Sequence, residues 1–527
     1  VPPQASLSAA DIAVIAAYAA LVVALGLWAG RNQKSGADFF LASRSATWPV
    51  VGLSLLASNI SSATLIGLAG AAYAIGISVF NYEWMAAVIL VFFCLFFLPF
   101  ILRSQVYTMP EFLERRYSRG VRVYFSALTI FLSVVVDKAT TLYGGALMVK
   151  LLAPDLPIAT IVVALALASG VYTIVGGLRA VLYTEVVQAI ILLGASAILA
   201  WFAFDAAGGW ARVMASVDPA KLSLIRPIGD PGLPWLGLVT GVPILGFYFW
   251  CTNQFMVQRV LSARNVDHGR WGSLFAGALK LPVLFLMVLP GTAAILLYPK
   301  LDNPDLVYPT MMFDLLPAGL LGLVVAGFLA AIMSATASTF NSAATLFTMD
   351  FVRHWRPDIE GRAMVRVGRL ATAGFIALAC LVAPQIEKFG SLWQYLQSML
   401  SYTAPPIVAL FLGGLFWRGA NARGAAWAVA VGLVLGLGLF LANSFGGLGL
   451  HFLYVAPLLL AASGAALWLG SQGAPAPDAA QVAGLMWSRA HWRAETAELA
   501  GEPWWRNYRL LSALLLAATA ALVIAFW

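Results

Sequence analysis

The chain has 527 residues, 61% hydrophobic and 10% charged, with 31 Lys and Arg against 23 Asp and Glu and a formal net charge of +8. Soluble domains carry roughly 25% charged residues, so this composition excludes a soluble globular protein and indicates an all-α polytopic membrane protein. The three cysteines, Cys94, Cys251 and Cys380, lie far apart in apolar runs, and neither a disulfide framework nor a Cys/His metal site follows from them.

Runs of about 20 apolar residues mark membrane-spanning helices. In chain order, fourteen are predicted, near 10–30, 47–76, 78–102, 123–151, 157–177, 181–204, 235–263, 272–298, 316–349, 366–386, 391–417, 423–446, 449–470 and 507–527. The first run is too long for a signal-peptide core and reads as a span. An even number of spans puts both termini on one side of the membrane. With that side outside, 23 of the 31 basic residues fall in inner loops, Arg116, Arg122, Arg259 and Arg270 among them. This is a strong positive-inside bias, so both termini are expected to be extracytoplasmic and the net charge reflects topology. A nucleic-acid partner is not expected, and the sequence calls for no obligatory protein partner. The stretch 471–506 reads as a linker followed by an interfacial helix on the cytoplasmic surface.

Several spans carry polar residues that lipid would penalise by several kcal/mol each if unpaired. In the second span, "ASNISSATLIG" places Asn59, Ser61, Ser62 and Thr64 at membrane depth. In the seventh, Gly237, Gly241, Pro243 and Gly246 interrupt one run, and Pro243 removes a backbone donor. Interrupted helices five spans apart mark an inverted repeat, with spans 2–6 as one unit and 7–11 as the other. The corresponding division is 1–46 for a first helix and loop, 47–204 and 235–417 for the two repeats, 205–234 for an outer loop, and 418–527 for three peripheral helices. In the ninth span, Ser334, Ser338, Asn341 and Thr345 follow i, i+4, i+7 and i+11 along one helical face. A stripe of oxygens suits a hard cation.

Ionisable residues within spans are functional candidates by default. Glu83 opens the third span, Lys280 lies in the eighth, and Glu185 sits near the inner end of the sixth. Asp137 and Lys138 are adjacent in the fourth span, so they should point about 100° apart and not share one site. They are assigned to structure, and Glu83 and Lys280 to a substrate.

From about Asp38 to Arg418 the chain resembles the sodium/solute symporter family, and most its sodium–sugar branch. The resemblance rests on "SNISSATLIG", "YEWM", "YTMPEFLERRY", "GGLRAVLYTEVVQ", "NQFMVQRVLSA" and "FNSAATLFTMD". It implies a leucine-transporter-type 5+5 inverted-repeat core with one helix before it and three after. It also implies a sodium site at the break in the second span, formed by the backbone carbonyls of Ala57, Ile60 and Ala331 and the Ser334 hydroxyl. Ala335 stands where the family supplies another hydroxyl, so water or Thr336 would have to fill in. Glu185 stands where relatives carry aspartate on the ion's inward route, which some relatives use for a second sodium with nearby serines such as Ser338. Asn59, Glu83, Lys280 and Gln397 match the family's sugar contacts, with Thr64 and Trp250 beside them. Tyr82 and Trp393 resemble the outer gate, with Leu68 beside them, and Phe249 takes the place of an inner-gate tyrosine.

The function expected from these residues is import of a monosaccharide or related polyol, coupled to inward sodium flow by alternating access. The alternatives are a sodium-independent or proton-coupled sugar carrier, and a sodium symporter for another small organic solute such as an acidic sugar. A membrane sensor would need an appended signalling domain, for which the tail after Gly470 is short. Enzymatic activity is not expected, since Glu83 has no acidic partner at glycosidase spacing and no His or Cys constellation is present. No Asn-x-Ser/Thr site falls in an outer loop, which points toward a bacterial inner membrane.

Overall fold

Backbone polar groups in hydrocarbon must be satisfied inside their own segment or by neighbouring protein, and for an apolar chain the simplest solution is the helix. The computed structural model describes residues 6–31, 34–388 and 392–527. Every regular element among them is helical. The extended pairings among them are two isolated bridges, Ala46 with Ala263 and Arg226 with Pro234.

The long helices, in chain order, are α1 (Ala9–Ala29), α2 (Trp48–Asn59), α3 (Ser62–Ile75), α4 (Ile77–Arg103), α5 (Arg119–Leu152) and α6 (Ile158–Ala206). They continue as α7 (Trp235–Thr252), α8 (Gln254–Leu261), α9 (Val266–Leu297), α10 (Leu320–Trp355) and α11 (Gly361–Gln385). The remainder are α12 (Leu392–Thr403), α13 (Pro405–Phe416), α14 (Ala422–Phe445), α15 (Phe452–Ser471), α16 (Arg489–Leu499) and α17 (Tyr508–Ala525). By length and composition, eleven helices can cross a membrane, or up to thirteen if each of two bent pairs is one span. The bent pairs are α2 with α3, at 64°, and the Tyr395–Thr403 part of α12 with α13, at 50°.

Two of the predicted spans, near 157–177 and 181–204, are joined in α6 without a loop. Gly177 is the single non-helical residue at the junction, with φ +55° and ψ −153°. A Cβ there would come within 2.4 Å of the Phe39 carbonyl oxygen, so both the conformation and the contact require glycine.

The break between α2 and α3 is where the polar stretch predicted it. Ile60 and Ser61 are extended, at ψ 107° and 176°. The Ser61 hydroxyl accepts from the Thr64 amide, and the Thr64 hydroxyl accepts from the Ser61 amide, both at 3.3 Å. This capping box restarts the helix. The interruption of the seventh span lies elsewhere than predicted. Pro243 sits in the first turn of the segment Val242–Phe247, where a missing amide costs nothing. The backbone leaves the helix further on, at Asn253, with φ −68° and ψ 128°, and the Asn253 side chain accepts from the Phe255 amide at 3.4 Å to start α8. The ends of the two interrupted helices are tied together: Ala46 N–H donates to Ser262 O at 2.9 Å, and Arg264 N–H to Ala46 O at 3.0 Å.

The predicted interfacial helix is α16, and it is anchored on protein. Its Trp492 stacks on Phe96 of α4 at 6.1 Å between centroids, and Trp271 of α9 donates to Arg506 O at 3.0 Å. Its Glu495 is buried, accepting from Arg270 at 2.8 Å and from the Tyr508 hydroxyl at 2.9 Å. Arg270, Arg116 and Arg259, all assigned to inner loops, are buried as well. Arg116 donates to the carbonyls of Gly414, Ala420 and Trp417, and Arg259 lies inside the bundle.

Burial works to raise the Glu495 pKa, but the charge and hydrogen bonds of Arg270, with the Tyr508 hydroxyl, outweigh it and hold the carboxyl below its ordinary value. A depressed carboxylate adds stability that is full above its unfolded-state pKa and is lost as pH falls through the lowered one. Glu495→Gln should therefore cost about 3 kcal/mol at neutral pH, the effect of removing one partner of a buried pair. A thermal melt of the purified protein would read it, with the difference from wild type shrinking in acid. Identical melting curves at neutral pH would place the anchor elsewhere.

Candidate functional site

A cavity of about 120 Å³ opens beside the break between α2 and α3. Its wall includes Asn59, Thr64, Tyr82, Glu83, Trp250 and Gln397, all predicted substrate contacts, and the predicted inner-gate residue Phe249. Phe249 meets Trp250 edge-on at 5.4 Å and Phe255 at the same distance. Leu68 is fully buried in the apolar core, away from the wall. The Trp393 side chain lies outside the described residues.

Lys280 stands behind the wall and is 1% exposed. Its ammonium donates to Glu83 Oε2 at 2.5 Å and to the Asn59 side-chain oxygen, and lies 5.5 Å from the centre of the Trp250 ring. One cation thus joins α2, α4, α7 and α9. The three donors of an ammonium suit such a hub, and the carboxylate cancels its charge. What faces the cavity is the other edge of Asn59 and Glu83, a neutral array of donors and acceptors.

One residue away, the break presents oxygens to α10. Ser334 Oγ lies 2.8 Å from Ala57 O and 3.2 Å from Ala331 O, and donates toward both. Ala57, Ile60, Ala331 and Ala335 are fully buried. Carbonyl and hydroxyl oxygens without a thiolate or imidazole fit a hard cation. Among the described residues no cluster of His, Cys, Asp or Glu resembles a transition-metal site. Thr336 does not replace the hydroxyl absent at Ala335: two positions along a helix is about 200° of rotation from Ser334, which turns its side chain to the far face.

The polar stripe of α10 continues inward and divides. Ser338 donates to Glu185 Oε1 at 2.5 Å and approaches Ser58 Oγ at 3.0 Å. Glu185 also accepts from Ser54, from Ser58 at 2.9 Å, and from Arg259 at 2.8 Å, and both charged residues of the pair are fully buried. Asn341 and Thr345 instead meet Gln258 of α8, at 3.2 and 2.9 Å. Glu185 and Ser338 are therefore brought together as expected, but within a closed network on α2, α6, α8 and α10. Sequence reasoning overlooked Ser54, Ser58 and Arg259. The i, i+4 serines in α2 and an arginine inside "NQFMVQRVLSA" were the available signals.

Asp137 and Lys138 depart from their predicted separation. Both line the cavity, and they pair at 3.0 Å. The pair lies at the end of Phe131–Lys138, a π-helix, and the Lys138 side chain is long enough to reach its neighbour's carboxylate. Asn253 of the α7–α8 break lines the same cavity and was also overlooked.

A membrane helix broken beside a polar cavity, with half-helix ends presenting oxygens, is the architecture of secondary transporters. Residues 39–432 match the model of the Sodium:solute symporter family, and the chain belongs to that family. It is 34% identical to the sodium/glucose cotransporter 4 of Danio rerio, over 96% of this chain and 84% of that protein. It is 35% identical to the sodium/mannose cotransporter SLC5A10 of Bos taurus, over 92% and 90%. Identity to the sodium/myo-inositol cotransporter 2 of Mus musculus is 37%, over 82% and 70%. Among solved structures, the fold is similar to that of a Na+-coupled sialic acid symporter in a substrate-bound outward-open state. The TM-score is 0.78 at 22% identity, covering 89% of this chain and 99% of that one. A more distant likeness, with a TM-score of 0.55 at 17% identity, is to Mhp1, a nucleobase-cation-symport-1 family transporter.

The Glu185–Arg259 pair carries a test of the inner network. Glu185→Gln leaves a buried guanidinium without its counter-charge, a loss of about 3–5 kcal/mol. Glu185→Gln combined with Arg259→Met should recover most of that loss in a thermal melt. If the double variant is no more stable than the single one, the two side chains are not energetically coupled.

Proposed function

We propose that this protein is a sodium symporter that imports a neutral monosaccharide or related polyol by alternating access. The observation that supports this most directly is the use of two residues, one apart, at one helix break. Ala57 offers its carbonyl to the oxygen cluster at Ser334, and Asn59 joins the Lys280–Glu83 hub at the cavity wall. An ion drawn to the first set and a polyol held by the second bear on the same few backbone dihedrals, so each changes the other's affinity. The internal charge balance of Glu83 with Lys280 favours a neutral polyol over an acidic sugar. The names of the glucose, mannose and myo-inositol cotransporters to which the chain is similar support the same substrate class.

In this reading α6 counts as two spans divided at Gly177 and each bent pair as one, which makes fourteen in all. The interruptions after Asn59 and at Asn253 mark corresponding helices of a leucine-transporter-type inverted repeat, 47–204 and 235–417. The arginine-rich ends then face the cytoplasm, with both termini on the other side of a bacterial inner membrane. One observation favours a second reading, a sugar carrier that does not need sodium: Ala335 supplies no hydroxyl and Thr336 points away, leaving Ser334 as the sole side-chain oxygen of the set.

Uptake of labelled glucose, galactose, mannose and myo-inositol into proteoliposomes separates the readings. Accumulation above equilibrium under an inward sodium gradient, absent in potassium and abolished by Ser334→Ala, is the expected result. Equal, merely equilibrating uptake in both salts would establish the carrier instead.

A further inference from the structure

The second charged pair of the cavity wall has no part in this function so far. Asp137 and Lys138 lie on the π-helical stretch of α5, on a different helix from any of the residues joined by Lys280. The two pairs are unequal in what they have left to offer. Lys280 and Glu83 are almost wholly buried and engaged with each other and with Asn59. The Asp137 side chain is 25% exposed, and among the described residues its one ion pair is with Lys138, on Oδ2 at 3.0 Å. Its Oδ1 has no donor among the described residues. One turn earlier, Ser133 lines the same cavity at 3% exposure, and its hydroxyl has no hydrogen-bond partner among the described residues. Lys138 is held from behind, 5.4 Å over the Phe255 ring.

A buried hydroxyl left unpaired is costly, and a carboxylate oxygen in a cavity accepts but cannot donate. Together they match a group that donates at one atom and both donates and accepts at the next. Adjacent hydroxyls on a carbon ring have that pattern. Lys138 already balances the carboxylate, so the wall favours a neutral hydroxyl pair over an ammonium group.

We infer that Asp137 and Ser133 form a second substrate-binding wall, which takes a vicinal hydroxyl pair of the transported polyol. Asp137 Oδ1 accepts from one hydroxyl, and Ser133 bonds its neighbour. This rests on the polyol reading above and adds to it a specificity determinant: substrates lacking that pair are discriminated against at α5.

The test is a kinetic series in proteoliposomes under a sodium gradient, using the polyol that the wild type accumulates best and its monodeoxy analogues. The variants are Ser133→Ala, Asp137→Asn, and Asp137→Ala combined with Lys138→Gln, the last leaving no lone buried charge. The Asp137 variants should raise KM about tenfold, equivalent to about 1.4 kcal/mol of binding, with maximal rate and half-saturating sodium within about twofold of wild type. One monodeoxy analogue should suffer the same tenfold loss on the wild type and no further loss on the Asp137 variants. A KM unmoved in the charge-free double variant, or an equal penalty for every analogue in all proteins, overturns the inference while leaving the symporter reading intact. A wild type that accumulates no polyol overturns both.

Discussion

A helix that stops at membrane depth leaves backbone groups that no lipid can satisfy, and the arrangement around residues 57–64 follows from that constraint. Ser61 and Thr64 cap the restarting helix locally. The carbonyl of Ala57 has no such local answer and is met by the Ser334 hydroxyl of α10. That requires α10 to present a polar face to α2. The face continues one turn further as Ser338, which brings in Glu185, and Glu185 brings in Arg259. Each polar group placed at depth obliges another.

Three consecutive residues, Ala57, Ser58 and Asn59, address three different partners. Ala57 meets Ser334, Ser58 meets Glu185, and Asn59 meets Lys280. A rotation of the break cannot satisfy one of these bonds while ignoring the others. Under the proposed symport, coupling between an ion and a neutral solute needs no long pathway, because both sets of groups bear on the same few dihedrals of one break.

The buried pairs serve different ends. Glu185–Arg259 and Glu83–Lys280 are almost wholly desolvated, and in pairs of that kind the cost of desolvation offsets much of the Coulombic gain. Each joins elements from distant parts of the chain. Asp137–Lys138 joins nothing distant, which is why its carboxylate stays available to the cavity. The π-helix that carries both residues is one of several such segments, including Phe93–Phe97, Tyr248–Thr252, Leu284–Val288 and Phe347–Val352. Wide turns of this kind re-aim side chains without ending a helix.

Much of the fold was legible in composition and periodicity, because lipid imposes the same requirement on every span. The second-span break was legible for a related reason: Asn59, Ser61 and Thr64 have no place on a lipid-facing helix. The cavity residues Asn59, Thr64, Tyr82, Glu83, Trp250 and Gln397 could be named from residue type and family likeness alone. Other features depended on coordinates. Pro243 looked like the seventh-span break, yet a first-turn proline is harmless and Asn253 carries the interruption. Arg259 read as a loop residue because one chain cannot reveal that Glu185 waits across the bundle for it. Asp137 and Lys138 were judged by α-helical geometry, which the π-turn replaces. The sequence by itself determined which residues cannot face lipid, since that is a property of each side chain. Only the tertiary structure decided which of them face one another, since that depends on helix register and on contacts between residues far apart in the chain.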